Sequence, residues 1–285
     1  MSTRSLSESF EGIDRSPVGA GRKQDSLQGS EADMIIPRSH PRYLSLKTRE
    51  QLVRANRSGI VVPEGLIAHG RGEAFDYILG ERTRPSAEKA IEAAAALLLT
   101  AEKPVISVNG NTAALVPREL VRLARAVGGD VEVNLFHRGG DREKRIARTL
   151  RRSGASRVLG VGKEASGRIP GLESMRRKID PSGIGDADVV FVPLEDGDRA
   201  SALRRMGKKV IAVDLNPLSR TSRSANVTIV DNVTRALPLL NSEVRRLRRY
   251  NKRRLVRIVN GFNNEKNLTK AVKEITSYLN KWNGT

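Results

Sequence analysis

Lys209-Val210-Ile211-Ala212-Val213-Asp214-Leu215-Asn216-Pro217-Leu218-Ser219-Arg220-Thr221-Ser222 is the stretch that sets the fold class. The apolar run over 210–213 stops abruptly in an acid, an amide, a hydroxyl and an arginine. A short continuous apolar run bounded by turn residues reads as a strand buried on both faces, as a parallel sheet requires. In open α/β sheets ligands bind outside the carboxyl ends of the strands. Asp214, Asn216, Ser219 and Arg220 stand there, with the chemistry to hold a ribose and a phosphate.

Outward from this stretch the same rhythm repeats. Residues 105–108, 131–136 and 157–161 read as strands. So do 189–192, which run into Asp196, Asp198 and Arg199, and 227–230, which run into Asp231 and Asn232. Helical patterns fall between them at 117–127, 141–153 and 199–206, with Pro117 suited to a first turn. Residues 163–186 form an irregular insert, and helices over 236–258 and 267–282 close the chain. Strands alternating with helices predict an α/β fold. Its core is a Rossmann-like, mainly parallel sheet with helices on both faces, preceded by a helical N-terminal segment.

In that segment, 44–57 is a helix ended by Gly59, and 60–82 is mixed, with Gly65, Gly70, Gly72 and Gly80. Ser86 is placed to cap a helix running to about Thr100, whose continuous Ala/Leu surface implies burial on more than one side. Residues 1–33 are Ser- and Gly-rich, charged and nearly free of large apolar side chains, and read as a disordered extension. Residues 34–285 read as one domain: helical over 34–103, Rossmann-like core over 104–235, C-terminal helices over 236–285.

The chain has 285 residues, 38% hydrophobic, with no cysteine and a formal net charge of +19. Absent cysteine excludes disulfides, thiolate zinc sites and cysteine nucleophiles. No apolar run approaches the roughly 18 residues needed to span a bilayer, and no signal-peptide core opens the chain. The expectation is a soluble cytoplasmic protein. Residues 1–33 carry more acids than bases, so the positive balance lies in the rest. It favours polyanions. Its densest run, 245–254, reads as a solvated basic helix face, with nucleic-acid binding as the alternative.

Four strand ends carry polar clusters: Asn109/Asn111, Asp196/Asp198/Arg199, Asp214/Asn216/Arg220 and Asp231/Asn232. One such cluster is ordinary turn chemistry; four along one sheet edge point to a site. Upstream, Gly70 and Gly72 flank Arg71, whose guanidinium fork suits a phosphate or carboxylate; an exposed arginine at a helix-to-helix turn is the plain alternative. His69 beside it is either a site residue or a structural hydrogen-bonding group. His40, His69 and His137 are too scattered to form a metal site. Gly160-Val161-Gly162-Lys163 fails as a phosphate loop, because Arg157 and Glu164 occupy positions that need glycine and Ser/Thr. Any nucleotide must be held by arginines, loop amides and helix N-termini.

Several longer strings carry a resemblance. They are Ser39-His40-Pro41-Arg42-Tyr43, residues 65–77, 108–111 with 114–117, 168–173, 192–199, 213–220 and 230–232. In order and spacing, from about Met34 to about Pro238, they resemble the archaeal phosphopantothenate synthetases. The resemblance implies a homodimeric 4-phosphopantoate–β-alanine ligase of coenzyme A biosynthesis that consumes ATP, with Mg2+, and releases AMP and pyrophosphate. Carried over by motif, ATP contacts fall on Arg49, Arg71, Asp214, Leu215, Asn216, Arg220, Thr221, Asn232 and Val233. Asn109, Asn111 and Arg199 are candidates for 4-phosphopantoate. Asp196 or Asp198 is a candidate for Mg2+ or the incoming ammonium. Arg71, His69, Asp196 and Arg199 are the candidate catalytic groups, and the metal ligands are not assigned. The N-terminal extension and the basic tail depart from the family. A non-catalytic nucleotide-binding regulator with the same fold is a further alternative.

Overall fold

The computed structural model describes residues 36–282; the extension expected to be disordered lies outside them. Three helices come first: α1 (Tyr43–Arg57), α2 (Pro63–Leu79) and α3 (Pro85–Thr100). The core then alternates: β1 (Pro104–Val108), α4 (Gly110–Leu115), α5 (Pro117–Val127), β2 (Asp130–Val133), α6 (Gly140–Arg152) and β3 (Val158–Leu159). The insert contributes a small hairpin, β4 (Gly167–Arg168) and β5 (Lys178–Ile179), and a wide turn at Pro181–Gly185. There follow β6 (Val189–Pro193), α7 (Gly197–Arg205), β7 (Lys209–Val213), α8 (Arg220–Ser224) and β8 (Val227–Ile229). The last helices are α9 (Val233–Leu247), α10 (Lys252–Asn260) and α11 (Asn264–Asn280).

Six strands form one parallel sheet in the order β3-β2-β1-β6-β7-β8. Val105 pairs with Asp130 on one side and Val190 on the other, and Val190 pairs with Val210. The chain winds outward from β1 through β2 and β3, then returns beside β1 and winds the other way. The direction reverses between β1 and β6, and this switch point is where such sheets bind ligands.

Alternate residues feed two cores, as period-2 strands must. Phe191, Ile211 and Val213 face the larger core with α3, α5 and α9. Val190, Val192, Val210 and Ala212 face a smaller one with α7 and the insert's Ile169, Ile179 and Ile184. The Ala/Leu surface of α3 is buried on several sides, as expected: Ala90, Ala94, Ala95 and Ala96 are all inaccessible.

The structure corrects four details. Ser86 does not cap α3. Arg84 is the cap residue and contributes no side-chain bond. Instead Glu274 of α11 accepts from Ser86 N (3.1 Å) and Ser86 Oγ (2.5 Å), placing an anion at the positive end of the helix. The expected helix over 236–258 is two helices. The chain breaks after Leu247, and Asn251 restarts it by accepting from Arg254 N at 3.0 Å. Residues 60–82 are not mixed, because α2 runs through Gly65, Gly70 and Gly72 without a break. Gly65 is needed for packing: a Cβ there would lie 2.4 Å from Asn111 Oδ1. Finally, β2 ends at Val133, so Leu135 and Phe136 belong to the loop beyond it.

Candidate active site

A cleft of about 340 Å³ lies outside the carboxyl ends of the strands, centred on the switch point. Its floor is the ends of β1 (Asn109, Gly110, Asn111), β6 (Leu194, Asp196) and β7 (Leu215), with the start of α9 (Asn232, Val233). Its roof is α2, through Gly65, Ala68, His69, Arg71 and Gly72. Leu135, Phe136 and His137 close one end, together with Arg142 of α6 and Arg176 of the insert.

Of the residues singled out in the sequence, the fold brings together Arg71, His69, Asn109, Asn111, Asp196, Leu215, Asn232 and Val233. Arg71 is exposed at the rim and makes no ion pair among the described residues. The Nε2 of His69 is buried with no partner among the described residues, and burial lowers the imidazole below its usual value, favouring the neutral ring. Asn111 Nδ2 donates to the Gly65 carbonyl at 2.8 Å, joining floor to roof. Asp196 pairs with Arg176 Nε at 2.7 Å, and burial raises its carboxyl.

The remaining candidates have side chains engaged within the protein or lying outside the cleft's lining. Asn109 lines the cleft, but its amide is spent on structure. Nδ2 donates to the carbonyls of Pro193 (3.0 Å) and Leu194 (2.9 Å), and Oδ1 caps α4 by accepting from Thr112 N (3.0 Å). Arg49 lies outside the cleft's lining, where its Nε donates to Glu73 at 2.9 Å. Arg199 is completely buried, with Nη1 between Glu195 and Ser107 Oγ, and does not reach the cleft. Asp214 stabilises the turn after β7, accepting from Asn216 N (2.9 Å) and Ser219 Oγ (2.5 Å); burial nevertheless raises its carboxyl. Asn216 Oδ1 accepts from Leu218 N in the same turn. Thr221 is buried and donates to the Glu195 carbonyl at 2.8 Å. Arg220 and Asp198 pair with each other at 3.0 Å on the surface, outside the lining.

Two cleft residues were missed. Arg142 donates from Nε to the Ile60 carbonyl (2.9 Å) and from Nη1 to the His137 carbonyl (2.5 Å), which locks its guanidinium at the cleft. Its signal was only that it opens the helix after β2. Arg176 sits in the aperiodic insert and had no signal. It reaches Glu195 at 2.7 Å and Asp196 at 2.7 Å.

The start of α9 is held by a buried network. Asp76 of α2 accepts from Asn232 Nδ2 (2.8 Å) and from Arg235, and Asp231 accepts from Thr83 Oγ1 (2.6 Å), Asn232 N (2.7 Å) and Arg235 Nε (2.9 Å). Asn232 then caps the helix by accepting from Thr234 N at 3.1 Å. A 15-residue helix thus points its positive end into the cleft, facing Arg71, Arg142 and Arg176. That arrangement suits a polyanion or several anions together. No group of three or more His, Asp or Glu among the described residues could hold a metal.

A family model described as phosphopantothenate/pantothenate synthetase matches residues 86–278. A protein of Thermococcus onnurineus named 4-phosphopantoate–β-alanine ligase is 52% identical over 246 residues, covering 86% of this chain and 94% of its own length. A protein of Methanosarcina mazei with the same name is 49% identical over 244 residues, covering 86% and 95%. A third, from Methanospirillum hungatei, is 57% identical over 203 residues, covering 71% and 82%. The chain belongs to the phosphopantothenate/pantothenate synthetase family. A ligase of this family implies ATP use. All these relatives carry a ligase name, so neither a nucleic-acid-binding protein nor a non-catalytic regulator gains support. The basic run 245–254 is exposed at Arg245, Arg248, Arg249, Lys252 and Arg253, but it is not the single helix face expected, because it spans the end of α9, the break after Leu247 and the start of α10. Among the described residues no helix is long and apolar enough to cross a membrane.

Proposed function

We propose that this protein is an ATP-dependent, AMP-forming ligase that joins 4-phosphopantoate to β-alanine and yields 4'-phosphopantothenate for coenzyme A biosynthesis. The observation that carries this reading is the near-full-length identity of about half to relatives of that name. The cleft's chemistry agrees with it, since both acids and the nucleotide are anions and the cleft gathers three arginines and a helix N-terminus. The resemblance further implies a cytoplasmic homodimer, with the described residues acting as one unit.

A carboxylate does not condense with an amine in water, because oxide would have to leave. Adenylation removes that barrier. The 4-phosphopantoate carboxylate attacks the α-phosphorus of ATP and pyrophosphate departs. The β-alanine amine then attacks the acyl-adenylate, and AMP departs. Catalysis here is positioning plus neutralisation of charge at phosphorus.

Leu215, Asn232, Val233 and Arg71 form the nucleotide side of the cleft in this reading, with the α9 N-terminus toward the phosphates. Asn111, His137, Arg142 and Arg176 form the side for the phosphorylated acid. Asp196 and Asp198 are each already paired with an arginine. Neither is free to hold Mg2+, which would come bound to ATP and would neutralise phosphate charge there. Arg49, Asp214, Asn216, Arg220 and Thr221 support these walls rather than touch the ligands; Asp214 and Asn216 do so by bracing the turn that carries Leu215. Arg199 supports Arg176 through Glu195.

The amine of β-alanine must shed a proton before it attacks. His69, whose burial favours the neutral ring and whose Nε2 is buried with no partner among the described residues, is the acceptor in this reading. His69→Ala is expected to slow AMP release by about 10²–10⁴-fold, the usual worth of a general base. Pyrophosphate exchange into ATP, dependent on 4-phosphopantoate alone, should survive. Exchange that requires β-alanine would contradict the acyl-adenylate, and exchange lost together with AMP release in the variant would contradict this role for His69.

A further inference from the structure

Arg176 stands in the cleft on no more than a single 3-10 turn, Met175–Arg177, so something beyond that turn must hold the insert in place. Two side chains on one face of the β2 segment do so. Asn134 Nδ2 donates to the carbonyls of Arg176 (3.1 Å) and Lys178 (3.0 Å). Glu132 Oε1 accepts from Asp180 N at 3.0 Å, and Oε2 accepts from Ile184 N at 2.6 Å. Glu132 is completely buried and touches neither cleft nor solvent. The insert packs so tightly on it that a Cβ on Gly183 would lie 2.2 Å from Oε2. Burying a carboxylate is costly unless it answers buried donors, and here it answers two main-chain N–H groups.

We propose that Glu132 is a positioning residue for the ligase reaction: by holding the amides of Asp180 and Ile184 it docks the insert and so fixes Arg176 at the subsite for the phosphorylated acid. This rests on the ligase reading above.

The charged groups around Glu132 are Asp180 of the insert, Arg199 of α7 and Lys208 of the turn before β7. Lys208 itself donates to the carbonyls of Gly185 (2.9 Å) and Ala187 (2.7 Å). Burial outweighs the two amide bonds and the Arg199 charge, and lifts the Glu132 carboxyl from 4.5 to about 7. Because the folded-state value is raised, stability from this group is complete below 4.5 and is lost as pH rises through about 7. Undocking the insert would hydrate the carboxylate, so docking carries the same sign and weakens above neutrality.

Glu132→Gln keeps one acceptor, presents a donor to the other amide and cannot ionise. The KM for 4-phosphopantoate is expected to rise about tenfold at pH 6, with kcat and the β-alanine KM within about twofold, as one anion contact loosens. In the parent protein that KM should climb between about pH 6 and pH 8, and the variant should lack this component, whatever the substrate's own titration contributes to both. Gly183→Ala displaces the same anchor without touching a charge, and should raise the same KM while keeping the pH dependence. The proposal is overturned if both variants keep the parent KM, or if kcat and both KM values deteriorate together. Absence of AMP from the parent protein would instead sink the ligase reading. Amide hydrogen exchange at Asp180 and Ile184 needs no substrate, and unchanged protection in Glu132→Gln would overturn the anchor by itself.

Discussion

Glu195→Ala is expected to cost about 3–5 kcal/mol of folding stability, the loss typical when one member of a buried ion pair is removed. The Glu195 carboxylate is 1% exposed and serves two guanidiniums, Arg176 (2.7 Å) and Arg199, which are 9% and 0% exposed. Arg199 already has two buried nitrogens, Nε and Nη2, without partners among the described residues. Taking away Glu195 leaves Arg199 a buried cation with no ion pair among the described residues. In a chain of this size the melting temperature should fall on the order of 10 °C, readable by calorimetry at fixed pH. Arg199→Met added to Glu195→Ala removes that orphaned charge and is expected to restore part of the loss. A fall below about 1 kcal/mol would mean that water reaches Arg199 and that the triad is not buried as described.

Arg71→Ala is expected to lower kcat/KM by about 10–100-fold, the worth of one charge-assisted hydrogen bond to a phosphate. Its stability should stay within about 0.5 kcal/mol of the parent, since the side chain is exposed and makes no ion pair among the described residues. Arg71→Lys keeps the charge but loses the planar fork, and should recover only part of the rate. The contrast with Arg49 makes this a sharp test. Arg49 is tied to Glu73 outside the cleft, so its alanine variant should lose far less. Equal losses at the two positions would contradict the placement of the nucleotide beneath α2.

The contrast also marks what a sequence reveals. Strand ends were legible because an apolar run that stops in Asp or Asn announces both a buried strand and its polar edge. That rule led to Asp196 and Asn232, which the fold does bring into one cleft. Whether a polar residue at such an edge faces ligand or protein depends on contacts far along the chain. Asn109 spends its amide on carbonyls more than eighty residues away. Arg199, in the first turn of the helix that follows β6, points into the protein because Glu195 and Ser107 receive it there. Arg71 and Arg49 look alike in sequence and differ only in helix phase and packing. Arg176 was illegible for another reason: no periodicity orders the insert, and its docking depends on Glu132 and Asn134 of a strand segment more than forty residues upstream. Ser86 failed as a cap because the helix already begins at Pro85, and a carboxylate 188 residues later receives the Ser86 N–H and hydroxyl instead.

In the proposed reaction the arginine-lined cleft at the switch point joins two acids through an adenylate. The most direct measurement is AMP formed from ATP and Mg2+ by the purified protein, with 4-phosphopantoate and β-alanine supplied singly and together. AMP should accumulate in step with 4'-phosphopantothenate only when both acids are present, and Arg71→Ala should slow it. No AMP with both acids, or ADP in its place, would contradict the account.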